Sequence, residues 1–168
     1  MKLKLFTYLI FSLSFLISDA QQKITLNENG FFINGKIIEK NISQNEVKKI
    51  LGNPDKKFVG QNIIWIYNDK GIYVYFDPND GHFKSFAIDF VKQDYKFSPT
   101  KTFHDSVLLF GNEINKFSTW LSIKKISQLM FGASPYTVRK AITIKNVIYF
   151  DFGSKGEMLE HMSFSHTK

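Results

Sequence analysis

The sequence predicts an α+β fold: two tandem repeats, each a short helix packed on an antiparallel meander sheet. Three observations lead there. A capped helical segment is followed by three strands with short turns, the second half of the chain returns to similar segments in the same order, and the composition suits a packed core. Of 168 residues, 43% are hydrophobic and 16% aromatic, too apolar a chain for disorder.

The chain opens with "MKLKLFTYLIFSLSFLISDAQQ". Lys2 and Lys4 precede an apolar run from Leu5 to Ile17, and small residues follow before Gln21. This layout predicts a signal peptide over residues 1–20, cleaved after Ala20. Retention as a membrane anchor is the competing reading, but the run is shorter than the ~20 residues that a bilayer span needs. Lipidation at the cleavage site would require a cysteine, and the chain has none. Stability must then come from apolar packing, without the disulfides common in small exported domains.

The first repeat is predicted over 21–90. Lys23–Leu26 reads as a strand, and Phe31–Ile38 as a hairpin around Asn34-Gly35. Ser43 and Glu46 form a capping-box signature, Val47, Ile50 and Leu51 make one apolar stripe, and Gly52 with Pro54 ends the helix. Strands Asn62–Tyr67, Ile72–Phe76 and His82–Phe90 follow, joined by turns at Asn68–Gly71 and Asp77–Gly81. A linker over 91–104 leads to the second repeat, 105–168. There "SVLLFGNEI" parallels "GFFINGKII", and "WLSIKKISQLMFGASP" parallels "NISQNEVKKILGNP". "NVIYFDFGSKGEMLEHMSF" parallels "IYVYFDPNDGHFKSFAIDF".

Catalytic and metal chemistry find little support. "YFDPNDG" (Tyr75–Gly81) is rich in oxygen ligands, but its glycine falls one position early for a calcium loop and its flanks are strands. The parallel "YFDFGSKG" brings Lys155 instead of a ligand, so both read as turns, with Pro78 and Gly81 at the positions a turn asks for. His82, His104, His161 and His166 lack metal-ligand spacing and read as scattered strand or surface residues. No serine sits in a nucleophile elbow and no glycine-rich phosphate loop occurs. Spacing alone leaves carboxylates such as Asp89 with Asp94, or Glu113, open as an acid–base pair. No catalytic residue, cofactor or metal is assigned.

The formal charge of +7 draws the chain toward acidic proteins, anionic lipid or polyanionic glycan. Nucleic acid fits poorly, because the lysines are spread out and Arg139 is the one arginine. The aromatic residues are the remaining signal. Trp and Tyr carry much of the energy at protein interfaces. One helix cannot cover both faces of a sheet, so an exposed cluster is expected. Trp65, Tyr67, Tyr73 and Tyr75 are assigned to a partner-binding face, with Tyr149 as their counterpart in the second repeat. Trp120 and Tyr136 belong to the wider aromatic set. Lys70, with Lys56 and Lys57, would steer an acidic partner at the edges.

The short helix ending in "ILGNP" before a meander resembles the small outer-membrane assembly lipoproteins. The tandem arrangement resembles the secreted beta-lactamase inhibitory protein. "IYNDKGIYVYFDPNDGHFKSFAIDF" and "SPTKTFHDSVLLFGNEI" also resemble an uncharacterised bacterial domain family of Gram-negative envelopes. These resemblances imply a protein-binding module, an inhibitor or immunity protein among them, and carry no catalytic residue across. The inhibitory protein has disulfides and the lipoproteins a lipidated cysteine, both missing here. The expectation is an exported, periplasmic or secreted, non-enzymatic protein-binding module. The alternatives are a structural or envelope-assembly component touching glycan or lipid, and a small hydrolase.

Overall fold

The computed structural model describes residues 22–132, 138–153 and 158–167. The expected leader, Tyr136 and residues 154–157 of the expected second turn lie outside them.

Strands β1 (Ile24–Asn27), β2 (Gly30–Ile33) and β3 (Lys36–Ile37) open the described chain, and helix α1 (Gln44–Leu51) follows. Four antiparallel strands come next: β4 (Lys56–Val59), β5 (Ile63–Tyr67), β6 (Ile72–Phe76) and β7 (Phe83–Asp89). A hairpin of β8 (Val107–Leu109) and β9 (Asn112–Ile114) leads to the single turn α2 (Trp120–Ile123). The chain ends in β10 (Met130–Phe131), β11 (Val138–Ile142), β12 (Asn146–Asp151) and β13 (His161–His166).

These strands make two sheets, a five-stranded one ordered β3-β2-β1-β8-β9 and an eight-stranded one ordered β10-β11-β12-β13-β7-β6-β5-β4. The predicted α+β class of two helix-on-meander repeats is therefore corrected to a mostly β fold of two shared sheets. Neither half keeps a sheet of its own: β13 pairs antiparallel with β7, and β1 pairs in parallel with β8. The first helix forms as read, with the Ser43 side chain accepting from the Glu46 N–H and the Glu46 side chain accepting from the Ser43 N–H. Its expected counterpart is cut to the single capped turn α2. Ile123, Ile126 and Leu129 are buried at a spacing of three, and Ile126 and Leu129 donate backbone hydrogen bonds three residues back. That is the period of tight 3₁₀ turns, so the α-helical stripe never develops. Strand β4 and the pair β10–β11 also escaped the pattern reading.

One face of the large sheet packs on the small sheet. Phe31 from β2 stacks on Phe164 of β13 at 4.9 Å and tilts against Phe86 of β7 at 5.4 Å. Helix α1 closes one end of this core with Val47 and Leu51. Trp120 of α2 closes the other, edge-on to Phe131 and Phe152.

The segment after β7 folds back over the opposite face of the large sheet. Phe97 lies edge-on to Phe58 of β4 at 4.7 Å, and the N–H groups of Thr100 and Lys101 donate to Asn68. Phe103 N–H then donates to the Asp89 carbonyl. This return path needs Gly71. Its φ is +65°, and a Cβ there would run into the backbone of Thr102 and Phe103. Gly111 has a similar φ of +81° but open space around it. Gly111→Ala is expected to cost about 1 kcal/mol, the left-handed strain alone. Gly71→Ala should cost clearly more, because backbone atoms cannot move aside as a side chain would. Urea unfolding midpoints of the two variants check the order.

Candidate functional site

Register decides where the predicted interface residues go. Trp65 and Tyr67 point into the main core and are 1% exposed. Trp65 packs on Phe76 at 4.7 Å, with Lys48 and Lys57 over its ring, and the Tyr67 hydroxyl donates to the Gly52 carbonyl. Burial pushes the Tyr67 phenol upward, so it stays neutral. Tyr73 and Tyr75 are in register with Ile66 and Ile64, and therefore lie on the other face. Tyr73 is buried there and Tyr75 half-buried. Tyr149 is on that same face and exposed, while Lys70 sits in a 3₁₀ turn at the far end of β5. The six residues assigned to one interface thus divide between a core, a covered patch and an open surface. Trp65, Tyr67 and Tyr73 are unavailable to a partner because packing and hydrogen bonding already use them.

Two features of the open face were missed. The first is a polar cluster where β6, β7 and β13 meet. Asp89, 2% exposed, is in register with His161, whose Nδ1 lies 2.7 Å from Asp89 Oδ1. The Tyr73 hydroxyl donates to the same oxygen at 2.6 Å, and its ring stacks on the imidazole. An ionised carboxylate only accepts, so Nδ1 carries the proton when the imidazole is neutral. Burial, then the adjacent Asp89 charge, raises the Tyr73 phenol far above its ordinary range. Asp–His pairing can orient a base, but no serine or threonine hydroxyl bonds to this imidazole among the described residues. The signal in the sequence was the lone Asp within the apolar strand "FAIDF".

The second feature is a trough of about 670 Å³. Its floor is Ser85 of β7 with Ser163 and Ser165 of β13. Ser163 is in register with Ala87 and Ser165 with Ser85, so small side chains meet over the two central strands. Tyr149 and Val147 of β12 form one bank. Asp77, just past β6, lines the trough from the other side, and Tyr75 of β6 is in register with Ser85 beyond the lining. Lys40, Lys84 and Lys140 stand around it with Asp77. Among the described residues these lysines form no ion pair, although Lys84 donates to Asn62 at 2.7 Å. His166 lies at the lower end, edge-on to Phe83.

The stretch "YFDPNDG" ends just below this trough. Asp77 and Asp80 accept backbone N–H groups from Asn79 and His82, and Gly81 has φ +73°. It closes the β6–β7 connection as a turn.

A separate hollow of about 250 Å³ gathers His104, Asp105, Glu113 and Lys116. Asp105 there accepts from the Gln22 backbone. Asp94, weighed as a partner for Asp89, is exposed on the segment after β7, whereas the bonds of Asp89 go to Tyr73 and His161.

With this geometry in view, comparison with known proteins places the chain. Residues 23–124, more than half of it, match the family described as a domain of unknown function, DUF7738. The chain belongs to this family. The matched region runs from β1 to the end of α2 and contains both segments that resemble an uncharacterised bacterial domain family. The comparisons give no support to the beta-lactamase inhibitory protein or to the assembly lipoproteins as relatives. Curated proteins return no match. Among solved structures, a 1.5 Å crystal structure of an extracellular protein containing an SCP domain from Bacillus anthracis str. Ames is similar, with a TM-score of 0.48 and 8% identity. The alignment covers 74% of this chain and 43% of that one, so this chain spans less than half of its length. Among the described residues no helix is long and apolar enough to cross a membrane.

Two measurements probe the site. Tyr73→Phe removes a donor from a buried carboxylate and should cost about 1–3 kcal/mol. Tyr75→Phe, which loses no hydrogen bond among those described, should be near neutral by the same denaturation assay. His166 tests the electrostatics of the lower end, since burial holds its imidazole below the ordinary range. Unfolded, it takes up a proton near its usual value of about 6.5. The unfolded state therefore binds more protons as pH falls below that value, and the His166 contribution, intact above it, is lost on acidification. A melting series from pH 7.5 to pH 5 should fall less steeply for His166→Gln than for the parent.

Proposed function

We propose that this is an exported, non-catalytic binding protein that holds an acidic protein partner in the serine-floored trough of its large sheet. The observation that carries the reading is the meeting at one place of a small floor, an aromatic bank and lysines with no ion pair among the described residues. Shape supplies a recess, Tyr149 supplies an interface side chain of the favoured kind, and the lysines supply steering. Inhibitors and immunity proteins are two forms that such a binder takes. Export rests on the leader, whose short basic and apolar regions fit a secretory signal.

A pull-down from envelope extract with the leaderless chain tests this. Tyr149→Ala and Lys140→Glu should each deplete a captured protein that Tyr95→Ala leaves in place, since Tyr95 is exposed but outside the trough. Capture should also weaken between low and high salt, as expected of a charge-steered contact. Equal capture by parent and trough variants would discard the reading. Retention on anionic vesicles, lost in Lys140→Glu, would turn it toward an envelope-surface role.

A further inference from the structure

From the same trough, and resting on that reading, we infer that the partner presents an α-helix, laid along β7 and β13 with acidic side chains toward Lys84 and Lys140. Three physical constraints select a helix over an extended segment. The first is hydrogen bonding. Strands β7 and β13 are paired on both edges, β7 with β6 and β13 with β12 as well as with each other. No backbone edge is free at the trough, so strand addition is closed there. An extended segment lying across the floor would bring unpaired N–H and C=O groups against Tyr149 and Val147, a costly burial. A helix satisfies its own backbone and can offer only side chains.

The second constraint is width. Strands β6 and β12, which carry Tyr75 and Tyr149 on this face, lie three strand spacings apart across β7 and β13. At about 4.8 Å per spacing this is roughly 14 Å between strand axes. A helix with side chains measures about 10–12 Å across. With Tyr149 on one bank and serines on the floor, the span between these strands fits one helix and is too narrow for two.

The third is charge. Lys84 and Lys140 flank the recess and Lys40 stands beside them, against one carboxylate among the described lining residues, Asp77. Bringing an acidic flank to these lysines pairs charges that find no ion-pair partner among the described residues. Small floor residues allow close approach of the helix, and the serine hydroxyls remain able to bond to its polar side chains.

Selection from two displayed libraries of matched diversity tests the inference. One is randomised along an exposed helix of a stable scaffold, the other within a disulfide-closed extended loop. The helix library should yield binders enriched in Asp and Glu that lose about tenfold or more in affinity on Ser163→Trp, which fills the floor, and on Lys140→Glu. Should Ser163→Trp fail to fold by circular dichroism, Lys140→Glu and Tyr149→Ala carry the test. Trough-dependent binders of equal or higher affinity from the loop library would overturn the helix and leave the trough standing. Binders from both libraries that ignore all three substitutions would overturn the helix and the trough together.

Discussion

The pairing of β7 with β13 is the constraint on which the rest of the molecule depends. It joins strands from distant parts of the chain into one eight-stranded sheet, with Ala87 opposite Ser163 near its middle. Because side chains alternate across a strand, that register sends Phe86 and Phe164 to one face together and Ser85, Ser163 and Ser165 to the other. The aromatic pair receives Phe31 and ties the large sheet to the small one. The serines become the floor of the trough. A slip of one residue would exchange the two sets, exposing Phe and burying Ser. The same alignment therefore builds the core and the recess.

Asp89 and His161 sit in this junction as a register pair, and Tyr73 reaches them from β6. A charged group this buried needs bonds to remain, and only the observed alignment brings the imidazole within 2.7 Å. The cluster thus penalises misaligned pairings more than it adds to stability, since removing such a group from water offsets much of what its bonds return. The segment after β7 reinforces the arrangement. Phe103 bonds to the Asp89 carbonyl, and Phe97 covers Phe58, so the β4–β6 side of the face is shielded while the β7–β12 side stays open.

Local order was legible where local chemistry sufficed. Ser43, Glu46 and Gly52 mark α1, and alternation marks β5, β6 and β7, because caps and period-two burial are written in neighbouring residues. What could not be read was assembly. "WLSIKKISQLM" has enough apolar residues for a helix, yet the three that become buried repeat every third position, a distinction visible only once a core exists to bury them. Tyr73 and Tyr75 were grouped with Trp65 and Tyr67 on composition, but the face a strand residue occupies depends on its register with the next strand, and β5–β6 register puts the two pairs on opposite faces. Of the assigned interface, Tyr149 is exposed and Tyr75 and Lys70 are partly accessible, with Lys70 away from the two tyrosines in the turn after β5. The lysines beside the trough were overlooked because Lys40, Lys84 and Lys140 are far apart in sequence and are gathered by sheet topology alone.

The proposed binding role then rests on the distribution of side-chain size across the open face. Central strands are where β-branched and aromatic residues contribute most, packed on both sides by neighbours. Here the order is inverted. The small residues Ser85, Ala87, Ser163 and Ser165 occupy the central strands, while Phe58, Ile142 and Met130 lie toward the edges. A sheet shaped for stability alone would fill that centre and leave its edges polar, since apolar edge strands invite association. Local departures from what stability asks are expected where a surface serves something outside the fold. The departure here lies over the strand pair that the fold can least easily rearrange. A recess built on such a pair keeps its shape when the loops around it move, which is what a partner requires of a surface that it must find preformed.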